Sequence, residues 1–224
     1  MVNKPIFGIF LTVLAYYLGL RLNKKFGHAL ANPLLLGVVF TIGSLKVLGL
    51  SYGDYMVGGS YFTLLISLST VSLALSFYRN LDVFLKYKKA IIIGSAVGSL
   101  VSMVSVLGRA MGLDKSLIIS VLPKSVTTAI GAPLAQSFGG SYSLAAVTIA
   151  LVGIFGSLVS PKLFKILRIR RVIEKGTALG TGAHAMGTSE AMNISGLAGA
   201  IAGVCIVIAG IITIIFMPLI LRFL

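Results

Sequence analysis

Polar positions in this chain do not alternate with apolar ones; they collect at the ends of long apolar runs. Runs at 5–21, 32–48, 61–78 and 89–108 each predict a helix able to cross a membrane, since about 17–25 apolar residues span the hydrocarbon core. Pro5 and Pro33 stand near the starts of two of them, where a missing backbone N–H costs nothing. Asn32 reads as the N-cap of the second. Two further clean runs occupy 142–160 and 194–217. The hydroxyls of "SLSTVSLALS" at 67–76 serve either interhelical packing or a cavity wall. Asp54, in a Gly-rich stretch, reads as a turn residue on the outer face, and His28 as a solvated residue of a basic loop.

Two segments break the pattern. One is "KSLIISVLPKSVTTAIGAPLAQSFGGS" at 115–141, with Pro123, Lys124, a hydroxyl cluster, Pro133 and a Gly pair. The other is "GTGAHAMGTSEAM" at 180–192, which holds His184 and Glu190 among small residues.

The 224 residues are 57% hydrophobic and 11% charged. Soluble domains carry about 25% charged residues, so this is an integral membrane protein. The net charge of +14 is gathered in short clusters between apolar runs. That fits loops facing anionic lipid, not a nucleic-acid surface. Arg21, Lys24 and Lys25 follow the first run, which therefore reads as a retained span and not a removable signal peptide. The single Cys205 lies inside the last run and reads as packing. No Cys/His cluster, phosphate-binding loop or nucleophile elbow occurs, so neither metal, cofactor nor enzymatic chemistry is expected.

Basic loops at 21–25, 79–89 and 162–175 orient the chain, because cytoplasmic loops concentrate Lys and Arg. The first four runs satisfy the rule with an external N-terminus, and the fourth emerges outside near Arg109. The loop at 162–175 then reaches the cytoplasm only if 115–141 dips into the membrane and returns. The stretch at 176–192 is too short and Gly-rich to cross, and dips in from the opposite face. A crossing broken helix, offset by one more crossing elsewhere, is the alternative.

The two irregular segments align without gaps. "AIGAPLAQSFGG" at 129–140 matches "AMGTSEAMNISG" at 185–196 through Ala129/Ala185, Gly131/Gly187, Ala135/Ala191 and Gly140/Gly196. Each leads into an apolar span closed by a proline, Pro161 or Pro218. Inverted repeats with interrupted helices are a common transporter architecture, because broken helices leave backbone groups that only a wet or protein-lined cavity tolerates. The expected fold is therefore an all-α integral membrane protein in one membrane domain over 1–224. About six full transmembrane helices are expected, plus two re-entrant or broken helices. Residues 1–108 form the N-terminal helices, and 115–161 and 176–218 the candidate inverted repeats.

Lys124 is the sharpest site candidate. A cation at membrane depth is expensive and functional by default, and Ser125, Thr127 and Thr128 place hydroxyls beside it for a small carboxylate. Its bland reading is a lysine snorkelling from a shallow loop. His184 either contacts substrate or carries a proton, or is a neutral ring bonded to a backbone carbonyl in the break. Glu190 either accepts a coupled proton or pairs with Lys124, or is a solvated charge at the cytoplasmic rim. Thr181, Thr188 and Ser189 supply hydroxyls, or cap and back-bond. Gly131, Gly182 and Gly187 are expected to line the cavity with bare backbone.

"PKSVTTAI" with a following "GG", and "GTGAHAMGTSEA" after a basic loop, resemble the LrgB/CidB family of bacterial membrane proteins. The "NP" at 32–33 and "FYRN" at 77–80 extend the resemblance over most of the chain. The family pattern is Pro-Lys-Ser-Val-Thr-Thr-Pro and a later Ser-His-Ala-Ile-Gly-Thr-Ala. Here Ala129 replaces the proline, Ala183 stands for the serine, and "ISLST" at 66–70 lacks a usual Gly-Pro, which alters the expected cavity lining. The resemblance implies a multi-pass protein of the bacterial cytoplasmic membrane with a bile-acid-transporter-like fold. It also implies two functions. One is antiholin-like regulation of murein hydrolases and autolysis by oligomerisation, beside a small LrgA/CidA-type partner. The other is carboxylate transport, through similarity to plastid glycolate/glycerate translocators and to bacterial members linked to pyruvate uptake. The residues favour a secondary transporter or facilitator of small monocarboxylates, possessing a lipid surroundings and a homo-oligomeric assembly.

Overall fold

The computed structural model describes residues 5–26, 33–102, 108 and 111–222. His28, Asn32 and Arg109 lie outside the described residues, as do all the hydroxyl side chains of the 67–76 stretch. Every element among the described residues is a helix. They fall into two compact units, Met1–Leu68 and Ser69–Leu224.

In the first unit lie α1 (Pro5–Phe26), α2 (Pro33–Val47) and the start of α3 (Tyr52–Arg79). Gly8 and Gly58 let α1 and α3 touch backbone to backbone: a Cβ on Gly8 would stand 2.9 Å from the Gly58 Cα. Thr12 Oγ1 donates to the Gly8 carbonyl at 2.7 Å and lies 2.8 Å from the Tyr55 hydroxyl, which therefore donates to it. Asp54 is not a turn residue. It sits in the first turn of α3, where its carboxylate accepts from Ser51 N and Oγ at 2.8 and 2.7 Å while Ser51 Oγ accepts from Asp54 N at 3.2 Å. This is a reciprocal capping box.

The second unit holds α4 (Leu81–Ser102), α5 (Lys115–Val121), α6 (Thr128–Ser137), α7 (Tyr142–Ile166), α8 (Val172–Ile194) and α9 (Gly196–Leu221). The segment 115–141 is a helical hairpin. Pro123 lies in the non-helical link at 122–127, and α6 returns beside α5. Ser116 Oγ donates to the Gly139 carbonyl at 3.1 Å, and Ser120 Oγ accepts from Ser141 N at 2.7 Å. Ser120 Oγ also donates to Ser116 O at 2.7 Å and is 1% exposed. Ser120→Ala leaves the Ser141 N–H unpaired, and is expected to destabilise the protein by about 1–3 kcal/mol. Thermal unfolding in detergent checks this, with the more exposed Ser116→Ala expected to have the smaller effect.

α8 also folds back on itself. Its helical geometry stops at His184, at φ 44° and ψ −124°, and resumes at once. A Cβ on Gly187 would land on the Leu179 carbonyl, a contact that eight residues of straight helix would hold about 12 Å apart. The outgoing arm packs on α9 through small residues: Gly176 faces Ala198, and Gly180 faces Ala202. Gly and Ala at four-residue spacing permit this close approach.

Both hairpins end on a serine that caps the next helix. Ser141 Oγ accepts from Leu144 N at 3.3 Å, and Ser195 Oγ from Ala198 N at 3.1 Å. The two capping serines stand two residues out of register in the gapless alignment, which pairs Gly140 with Gly196. Pro161 and Pro218 do not close the spans either: they lie inside α7 and α9, which run on to Ile166 and Leu221.

α1, α7 and α9 are long and apolar enough to cross a membrane. α2 has only 15 residues, and α4 carries Asp82, Lys86, Lys88 and Lys89 in its first half. Among the described residues, the expectation of about six full crossings is matched by length and hydropathy in these three. α7 buries Ala145, Ile149 and Gly153 while turning Val147, Leu151 and Phe155 outward, at 56%, 57% and 68% exposure. A helix that turns Val147, Leu151 and Phe155 to its surroundings suits lipid as solvent, and the protein is a membrane protein.

Candidate functional site

The two irregular segments meet at their tips. His184 Nε2 lies 3.0 Å from the backbone carbonyl of Lys124. A carbonyl only accepts, so Nε2 carries the proton of this bond. His184 is 3% exposed, and a Cβ added to Gly153 of α7 would stand 3.3 Å from its Nδ1. The carbonyl-bonded reading of His184 is thus the arrangement present.

The bond explains why an unfavourable backbone is kept. A φ of 44° with ψ of −124° is a conformation that glycine adopts readily and L side chains rarely do. Such strain persists where the surroundings over-determine it. Here the surroundings are the close packing of the two arms and the link to the opposite tip. His184→Gly and His184→Ala both remove the link and leave the Lys124 carbonyl to find another donor. Only the glycine variant also relaxes the backbone. The expected order of thermal stability is wild type, then glycine, then alanine, with about 1 kcal/mol between the two variants.

Beside the joined tips lies a cavity of about 610 Å³. Lys124 and Ser125 line it from the first tip, and Glu174, Thr177, Thr181 and Gly182 from the outgoing arm of α8. The third wall is α4, where Gly94 and Gly98 present bare backbone. A Cβ at Gly94 would meet Thr177 Cγ2 at 2.8 Å, and one at Gly98 would meet Thr181 Cγ2 at 2.7 Å. Between them Ser95, fully buried, shares a 3.2 Å hydrogen bond with Thr181 Oγ1. Thr177 Oγ1 is buried and faces the Cys205 thiol. Cys205 is buried on α9 among Ile91, Ile201 and Val204.

Of the residues singled out from the sequence, Lys124, Ser125, Thr181 and Gly182 line this cavity. Thr127 is the N-cap position of α6 and Thr128 its first residue; neither is in the lining. Thr188 Oγ1 donates back to the His184 carbonyl at 2.9 Å. Gly131 and Gly187 serve packing instead of an open wall: a Cβ on Gly131 would stand 2.6 Å from Ile149 Cδ1, and one on Gly187 would strike Leu179. Glu190 lines a separate cavity with Lys165, Arg168, Arg170 and Lys175, so it does not join Lys124. It accepts from Asn193 Nδ2 at 3.2 Å. The reason is the fold-back at His184, which carries the return arm away from the first tip. Gly94, Ser95, Gly98, Glu174 and Thr177 were missed. The one available signal was the four-residue spacing of Gly94 and Gly98 inside an apolar run. Among the described residues, no group of three or more His, Cys, Asp or Glu comes together.

The profile of the LrgB-like family matches residues 12–223. Uncharacterized protein YwbG of Bacillus subtilis (strain 168) is 33% identical over 220 residues, covering 97% of this chain and 98% of its own. Antiholin-like protein LrgB of Bacillus mycoides (strain KBAB4) is 30% identical over 222 residues, covering 98% and 96%. No solved structure matches the chain. With both motif-bearing hairpins inside a match that spans nearly its whole length, this chain belongs to the LrgB-like family.

Proposed function

We propose that the protein is a secondary transporter or facilitator of small monocarboxylates, of the pyruvate, glycolate or glycerate class, in the bacterial cytoplasmic membrane. The observation that carries this reading is that Lys124 and Ser125 line one cavity with Thr177, Thr181 and Gly182, beside the bond that joins the tips. An ammonium with neighbouring hydroxyls suits a carboxylate, whose oxygens only accept. The lining carries one cation, Lys124, and one acid, Glu174. The single ammonium offers a direct ion pair to one carboxylate group and none to a second, which favours a monocarboxylate. Gly182, with open space where a side chain would stand, leaves room for the substrate and for water around the exposed backbone.

In this reading each hairpin enters and leaves on one face, and the cavity opens alternately as one repeat moves against the other. His184 is the pin between the tips, a positioning residue whose Nε2–H is held by the Lys124 carbonyl. The basic loop at 162–175 lies in the cytoplasm, the assembly is a homo-oligomer, and the remaining crossings come from the helices before 108.

A second reading rests on the name of the 30%-identical relatives, antiholin-like protein LrgB. In it the outward face of α7 at Val147, Leu151 and Phe155 seats another copy or a small LrgA/CidA-type partner, and the assembly regulates murein hydrolase activity. Uptake of labelled pyruvate and glycolate into proteoliposomes of the full chain separates the two. Saturable, mutually competing uptake is expected. Release of trapped dye with no dependence on either substrate is the result that overturns the transport reading in favour of a pore.

A further inference from the structure

A second cavity, of about 560 Å³, lies at the base of the α8 hairpin. Its cations come from three segments: Lys165 from α7, Arg168 and Arg170 from the linker, and Lys175 from α8. The only acid in the lining is Glu190. Lys175 Nζ sits 6.0 Å from the centroid of the Phe164 ring, which forms part of an apolar wall. A concave surface of one sign concentrates its counter-ions, and converging cations without an anion repel one another.

Arg168 makes an independent observation. α7 ends there in a Schellman turn, with Ile169 N donating to Phe164 O at 2.9 Å and Arg168 N to Lys165 O at 3.3 Å. The same turn closes α2 at Gly49 and α6 at Gly139, with φ of 66° and 89°. There the left-handed residue is glycine, which adopts it at no steric cost. At the cavity the chain holds an arginine in that conformation, at φ 55°. Among the described residues, His184 at the joined tips is the one other non-glycine residue with positive φ. Local propensity asks for glycine at 168, so the guanidinium answers to something other than the turn.

We infer that this cavity binds a phosphate ester, with Arg168 and Arg170 holding the phosphate and the apolar wall taking part of the organic group. Arginine is chosen over a single lysine where several oxygens of one anion must be held at once. A net excess of positive lining charge suits a doubly charged phosphate better than a carboxylate. The phosphate belongs either to an anionic lipid headgroup, which basic pockets on the cytoplasmic side of membrane proteins take, or to a soluble ester. The inference holds whether or not the Lys124 cavity carries a carboxylate.

The test is thermal unfolding of the purified full chain, titrated with glycerol 3-phosphate in detergent and, separately, with phosphatidic acid in otherwise zwitterionic nanodiscs. Stabilisation that chloride at matched ionic strength does not reproduce is expected in one arm. The responding arm identifies the source as soluble ester or lipid. Arg168→Gly is expected to raise the unfolding temperature without ligand, because the strain is gone, while weakening the ligand response at least about tenfold. A residue that merely closed the helix would not move these two readouts in opposite directions. Arg170→Gln is expected to weaken the response without the gain in stability, which keeps the test intact if the glycine variant fails to fold. Chloride matching both ligands, or both variants responding within twofold of wild type, overturns the site.

Discussion

Lys124→Ala is expected to lower proteoliposome uptake of pyruvate and glycolate by at least about 30-fold, the loss that follows when one partner of a buried, hydrogen-bonded charge pair is removed. The argument is electrostatic. A carboxylate leaving water for a cavity between membrane helices loses most of its hydration, and the Lys124 side chain is the one cation in the lining to replace it. Ser125 remains in the variant, but a neutral hydroxyl offsets only part of the charge. Lys124→Arg keeps the charge on a larger, planar group and is expected to fall between. Lys115→Ala, at the exposed start of α5, controls for net charge and is expected to transport as the wild type does. The backbone carbonyl that holds His184 survives all these changes, so the folded fraction in detergent should stay near that of the wild type. Uptake by Lys124→Ala equal to wild type would falsify the carboxylate site.

Gly187→Ala is expected to destabilise the protein severely, and Gly182→Ala hardly at all, although both add one methyl group near the same tip. A Cβ at 187 would occupy the position of the Leu179 carbonyl, so the arms of α8 must part before the methyl fits. Forced overpacking costs about 1–3 kcal/mol where side chains can give way; here the obstacle is backbone, and the cost lies at or above the top of that range. A Cβ at 182 meets nothing within 4 Å, and alanine is the better helix former by about 1 kcal/mol. Its methyl projects beside the Lys124 cavity, so Gly182→Ala is expected to fold normally while altering substrate affinity. Unfolding temperature and uptake, read on both variants, check the pair. Equal stabilities would mean that α8 does not fold back on itself.

Much of this was legible in the residues. The apolar runs identify membrane helices because lipid requires apolar side chains and internally bonded backbone over a whole segment. Pro123 and the Gly-rich stretches mark the broken segments because they locally remove hydrogen bonds and rigidity. Lys124 stood out because a cation amid apolar residues needs a reason. All three signals depend on composition within one stretch of chain.

What stayed hidden depends on direction. His184 and Glu190 are six residues apart, and sequence allowed them to share a site; the positive-φ backbone at 184 turns the return arm away, so that Glu190 lines a cavity in which His184 has no part. That conformation is paid for by packing between arms and by the Lys124 carbonyl, none of which is visible in the residue at 184 itself. Gly131, Gly182 and Gly187 look alike along the chain, yet one faces open space and two face atoms, since a glycine's role is set by whatever lies where its side chain would be. The α4 wall escaped notice for the same reason: Gly94 and Gly98 acquire meaning from Thr177 and Thr181, some eighty residues away. Which elements can exist is written in local chemistry, and which side chains share a space is settled when the hairpins turn and close on one another.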